Sequence, residues 1–175
     1  MPNSLKLIII ALIGIISGCA HGIQLTPNLD DLHNTDVEVE NKINKNVAYY
    51  ISQQDMETEV ITPGGGGDKV KYYPYRDTEA ALDTMLSKVF NHVYSIPLIK
   101  QAAFIQKKNI SYIFKPSIKT DSSSDSLLTW PPTHFTFELT CTATDPSGNE
   151  GWSKKVKAEG NAEYDEFKKN FSLSA

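Results

Sequence analysis

The stretch His134–Thr144, HFTFELTCTAT, alternates without a break. Phe135, Phe137, Leu139, Cys141 and Ala143 point one way; Thr136, Glu138, Thr140, Thr142 and Thr144 point the other. A period of two with one apolar side is the signature of a strand whose other face meets water. Asp145-Pro146-Ser147-Gly148 then puts Pro and Gly at favoured turn positions. WSKKVKAEG, from Trp152 to Gly160, returns with Trp152, Val156 and Ala158 inward and Ser153, Lys155, Lys157 and Glu159 outward. The pattern predicts a β-hairpin over 134–144 and 150–160 with one wet face. Cys141, on the apolar side, reads as a small buried hydrophobe.

Working back from the hairpin, 110–118 (ISYIFKPSI) reads as a strand with Pro116 near its end or at an edge. NVAYYIS, from Asn46 to Ser52, reads as the first strand, with Val47, Tyr49 and Ile51 on one face. Between them, Leu82, Met85, Leu86, Val89, Phe90 and Val93 form one apolar stripe at helical spacing. It predicts a helix from a cap at Asp77 or Thr78 to about Tyr94, with Glu79 near its start and Pro97 beyond its end. Burying those six side chains contributes on the order of 10 kcal/mol before entropy is subtracted. The Met and aromatic members of the stripe are compatible with a ligand groove, but packing on a sheet is the ordinary use of such a face. A shorter helix is expected over 98–108. The expected fold is a single α+β domain over 46–175. Its mostly antiparallel sheet of about four strands carries one long and one short helix on one face, and the first strand, helix and second strand form a right-handed crossover.

The amino terminus has a different character. Lys6 precedes the apolar run Leu7–Ile16, whose ten residues make a helix of roughly 15 Å, half the ~30 Å hydrocarbon core. That length suits a secretory h-region and not a span. Ile16-Ser17-Gly18-Cys19 resembles the bacterial lipobox. The resemblance implies cleavage after Gly18, acylation of Cys19 on its sulfur and its new amino group, and anchoring by several acyl chains. Ala20 stands where many inner-membrane lipoproteins have aspartate, which points to the outer membrane. Residues 19–45 show no sustained period and read as lipidated cysteine and tether. Loss of residues 1–18, which carry one lysine and no acid, takes the formal net charge from −4 to −5. An acidic body lacks the basic face that nucleic-acid binding needs. With Cys19 lipidated, Cys141 has no partner in the chain, so stability rests on burial.

From Tyr73 onward the chain also resembles a group of small bacterial lipoproteins whose function is largely unassigned. The resemblance rests on Tyr73-Pro74-Tyr75 before an amphipathic helix, Tyr112–Pro116 as a strand, and a Ser-rich loop closing with Thr129-Trp130-Pro131-Pro132-Thr133. A threonine-rich strand and Phe167-Lys168 complete it. The layout is similar to YajG-like and peptidoglycan-synthase-activator lipoproteins, which implies a compact periplasmic domain on a tether. The apolar finish after Phe171 leads us to expect a further helix beyond Ala175.

No catalytic constellation emerges. His21, His33, His92 and His134 fit no metal spacing. The run Gly64–Gly67 precedes Asp68-Lys69-Val70, which is not a phosphate loop, since aspartate repels phosphate. Glu138 and Glu159 fall on the wet face among lysines, where a salt-bridged surface is expected and not a glycosidase pair. Neither an enzyme nor a cofactor is expected. Leu127, Leu128 and Trp130, with Pro131 and Pro132 stiffening the loop exit, form a candidate partner-binding arm; Tyr73 and Tyr75 form a second aromatic candidate. The sequence reading is a lipid-anchored periplasmic binding or structural protein that meets another envelope protein. The alternative is a module for a small ligand or cell-wall fragment.

Overall fold

The computed structural model describes residues 20–25, 27, 42–62, 69–99, 101–123 and 133–175. In chain order these form β1 (His21–Gly22), β2 (Ile43–Tyr50), α1 (Gln53–Met56), β3 (Val60–Ile61), β4 (Val70–Tyr72), α2 (Pro74–Val89), β5 (Phe90–Ile96), α3 (Ala102–Lys107), β6 (Ile110–Ser123), β7 (His134–Thr144), β8 (Glu150–Asn161) and α4 (Tyr164–Phe167). The fold class is α+β, as expected. It has two mixed sheets, one of order β5-β2-β6-β7-β8 and one of order β1-β4-β3.

β2 is the hub of the larger sheet. It runs parallel to both β5 and β6, and only the β6-β7-β8 half is antiparallel. Parallel strands are covered on both faces. Val47 and Tyr49 pack against α2, whereas Ala48 and Tyr50 pack with Phe104 and Ile105 of α3. Successive strand residues point to opposite faces, so the two helices lie on opposite sides of the sheet. This corrects the expected four-stranded, mostly antiparallel sheet with both helices on one face. The run NVAYYI is apolar on both sides because both sides are buried.

The long helix is the second correction. It spans Pro74–Val89 and not 78–94, and Phe90–Ile96 is a strand. Pro74 sits at the first helical position, where the N–H it lacks has no helical partner anyway. The Asp77 carboxylate accepts the N–H groups of Tyr73 (3.1 Å) and Leu25 (3.3 Å), so it serves the first turn from within the helix. At the other end the register of β2 and β5 shifts between Ile43 and Asn46. Phe90 and Val93, three apart, both pack in the α2 cluster, which is why a helical period fits a segment that is extended.

The hairpin forms where its alternation placed it, with β8 reaching Asn161 and β6 running on to Ser123. Pairing of β2 with β6 ends at Tyr49 and Phe114, so from Pro116 onward β6 has β7 alone beside it. The missing N–H of Pro116 therefore breaks no ladder. Tyrosines occupy that open side: Ile118 N–H donates to Tyr75 Oη (3.0 Å), and Tyr72 Oη donates to Thr120 Oγ1 (2.8 Å). In the turn, Gly148 has a φ of 91° and its N–H donates to Asp145 O at 2.9 Å.

The small sheet packs at the far end of the hairpin. Leu25, Val70 and Tyr72 meet Phe135 of β7 and Phe167 of α4, which is 0 % exposed. Residues 20–25, read as tether, are thus part of the domain. The chain end closes over β8: a Cβ on Gly160 would stand 2.1 Å from the backbone oxygen of Ser174.

Candidate functional site

α2 lies over β2 and β6, and among the described residues no helix covers the adjoining apolar face of the hairpin. The step between helix and bare sheet forms a groove of about 870 Å³. Its floor is Phe114, Pro116 and Ile118 of β6 with Phe137, Leu139, Cys141 and Ala143 of β7; its wall is Leu82, Met85, Leu86 and Val89 of α2. The floor follows from the period of two in β7, and the wall from the helical stripe. Toward β8 the groove is open: Trp152 is 48 % and Val156 51 % exposed. Trp152 stands edge-to-face on Phe114, ring centroids 6.2 Å apart.

The strand registers order the groove lengthwise. Ile43, Lys45 and Tyr112 gather where β2 begins and α2 ends; Pro27, Thr78, Ile118 and Phe137 gather toward the start of α2. Among the described residues, Lys45 and Glu79 are the only charged ones in the lining. Glu79 is engaged, accepting a hydrogen bond from Tyr49 Oη at 3.1 Å. Burial, reinforced by that carboxylate, pushes the Tyr49 hydroxyl up to about 12. Burial also pushes the Cys141 thiol up to about 11, so the floor contains a neutral thiol and no thiolate nucleophile near neutral pH.

Of the sequence-predicted site residues, Tyr73 and Tyr75 sit at the start of α2 and are committed internally. Tyr73 Oη donates to Glu59 Oε1 (3.0 Å), and Arg76 lies 3.5 Å over its ring. Tyr75 Oη receives the β6 N–H described above. Cys19, Leu127, Leu128, Trp130, Pro131 and Pro132 lie outside the described residues, as do the glycine run and most of the tether. His21, His92 and His134 fall on three different strands. Among the described residues no three His, Cys, Asp or Glu side chains gather as a metal site. Glu138 faces Lys157 in register and pairs with Lys155 at 2.7 Å, while Glu159 pairs with Lys157 at 2.6 Å. Both carboxyls are held below their usual range by those lysines, as a salt-bridged surface requires. No helix among the described residues is long and apolar enough to cross a membrane.

The groove is the feature that the sequence reading weighed and set aside in favour of core. A signal for it was present: the hairpin offers two strands of apolar surface, and one helix over β2 and β6 cannot also cover them. Comparison of the chain with known protein families, with curated proteins and with solved structures finds no match in any of the three.

Proposed function

We propose that this chain is a lipid-anchored binding protein of the bacterial envelope, without catalytic activity. In this reading acyl groups on Cys19 hold it at the periplasmic face of the outer membrane, and the groove beside α2 is its binding surface. The observation that carries the binding reading is a concave, largely apolar surface of a size within the ~300–1,000 Å³ typical of small-molecule sites. The lipobox carries the anchor. Cell-wall sugars have less support as ligands, because they need hydrogen-bonding groups along a groove whose floor is aliphatic, aromatic and thiol.

Two measurements test the parts separately. Mass spectrometry of native material should find a chain that begins at an acylated Cys19; an intact Met1 with an unmodified Cys19 sulfur removes the anchor. Titration with the neutral apolar dye N-phenyl-1-naphthylamine should give a saturable fluorescence rise. Leu139→Asp should weaken it at least tenfold with unchanged circular dichroism, and Trp130→Ala should leave it intact. The reverse ranking moves the binding surface to the 127–132 loop.

A further inference from the structure

We infer that the groove takes the alkyl chain of an anionic amphiphile, a free fatty acid in its simplest form, with the acidic head beside Lys45. This deepens the proposed binding function and rests on it. Three observations select the ligand class. First, among the described residues the lining from Ile118 and Leu139 to Phe114 and Leu86 includes no charged side chain. A ligand that fits it is apolar along its length and polar at an end.

Second, the charge on this face runs against the charge of the chain. The protein is net negative by 4, yet the one carboxylate of the lining among the described residues, Glu79, is engaged by Tyr49. Lys45 is exposed at one end of the groove and has no ion pair among the described residues. Lys154 stands on the same face, opposite Cys141 and between Trp152 and Val156 in β8. Third, the Lys45 end is rimmed by the half-exposed aromatic rings of Tyr112 (39 %) and Trp152 (48 %). Rings with an apolar body and a polar edge beside a lysine are what surrounds a lipid head group at a bilayer interface. An amphipathic helix would need the same apolar strip, but the lysine at one end of it matches a chain with a single acidic end.

The test uses Trp130→Phe protein, in which Trp152 is the only tryptophan. It is titrated below micelle-forming concentration with laurate, with dodecyltrimethylammonium and with octyl glucoside. The inference expects a saturable blue shift of Trp152 with laurate and at least tenfold weaker binding of the cationic probe. Lys45→Gln combined with Lys154→Gln should bring laurate and the cationic probe to within threefold of each other. Equal affinities in the parent protein overturn the head-group assignment while leaving apolar binding standing. No response to any alkyl probe or to the naphthylamine dye removes the binding function itself. A saturable Trp152 shift with an acidic amphipathic helical peptide, with none from laurate, replaces the amphiphile with a helix and also overturns the inference.

Discussion

β2 and β8 belong to one sheet, and each carries a valine on the face that α2 occupies. Val47 is 0 % exposed and Val156 is 51 % exposed. The first is sealed by α2 with Phe114 and Tyr49 around it; the second stands at an edge with water on both sides. Residue type and secondary structure are the same, so the difference lies wholly in what the neighbouring element covers. It also reverses a natural intuition. Alternation is clearest in β7, which is half-buried along its length, and in β8, which is almost wholly exposed, because alternation reports one-sided burial; the fully buried stretch Val47–Tyr49 of β2 shows no contrast between its faces.

The sharpest way to break this comparison is to truncate both valines. Val47→Ala removes two buried methyl groups and leaves a cavity, so it should cost about 2–3 kcal/mol in chemical denaturation. Val156→Ala should cost less than about 0.5 kcal/mol. Similar losses at the two sites would mean that β8 is covered in solution.

A somewhat smaller effect comes from Gly160, where the edge strand touches the chain end. Gly160→Ala drives a Cβ against the Ser174 backbone, and overpacking of this kind costs about 1–3 kcal/mol. Limited proteolysis should then cut within 164–175 faster than in the parent. A parent-like digestion pattern would show that the end of the chain can move aside.

Tyr49 supplies a pH signature for the covered half. Its native pKa of about 12 lies above the unfolded value near 10. Below pH 10 both states keep the proton and stability is unaffected. Between pH 10 and 12 the native state binds more protons than the unfolded state, so stability falls as pH rises, by on the order of 1 kcal/mol per pH unit. Tyr49→Phe protein should lack this loss, so the difference between the two curves should isolate it. An identical alkaline slope in the two proteins would count against a buried hydroxyl.

The smallest change belongs to the wet face. Glu138→Gln removes the pair with Lys155, whose side chain is 61 % exposed, and solvent screens such pairs heavily. The denaturation midpoint should stay within experimental error, and any dependence on this carboxylate should vanish in high salt.

What was legible in the sequence follows the same division. The strand 134–144 was readable to the residue because one face is polar throughout. In the parallel half the strands at 46–52 and 110–118 were legible, but their parallel pairing and the cover on both faces were not, since Val47-Ala48-Tyr49-Tyr50 carries no polar face to mark a wet side. Phe90 and Val93 matched a helix because an irregular register brings them to one face of a strand. The two-residue strands β1 and β3 are too short to carry any period. The α2 stripe was legible as apolar, but which of its members meet a partner and which border open space depends on where β7 and β8 lie. Met85, 43 % exposed, and Leu86, buried, are indistinguishable by spacing alone.

The position of β2 at the centre of a parallel trio has a consequence for how the chain matures. The strand precedes both of its hydrogen-bonding partners, Phe90–Ile96 and Ile110–Ser123, by some forty residues or more. Long-range pairing of this kind closes slowly, because the loop entropy is lost before the contacts form. The ladder around β2 therefore cannot close until Ile110–Ser123 has been made, so the centre of the sheet is among the last parts of it to form.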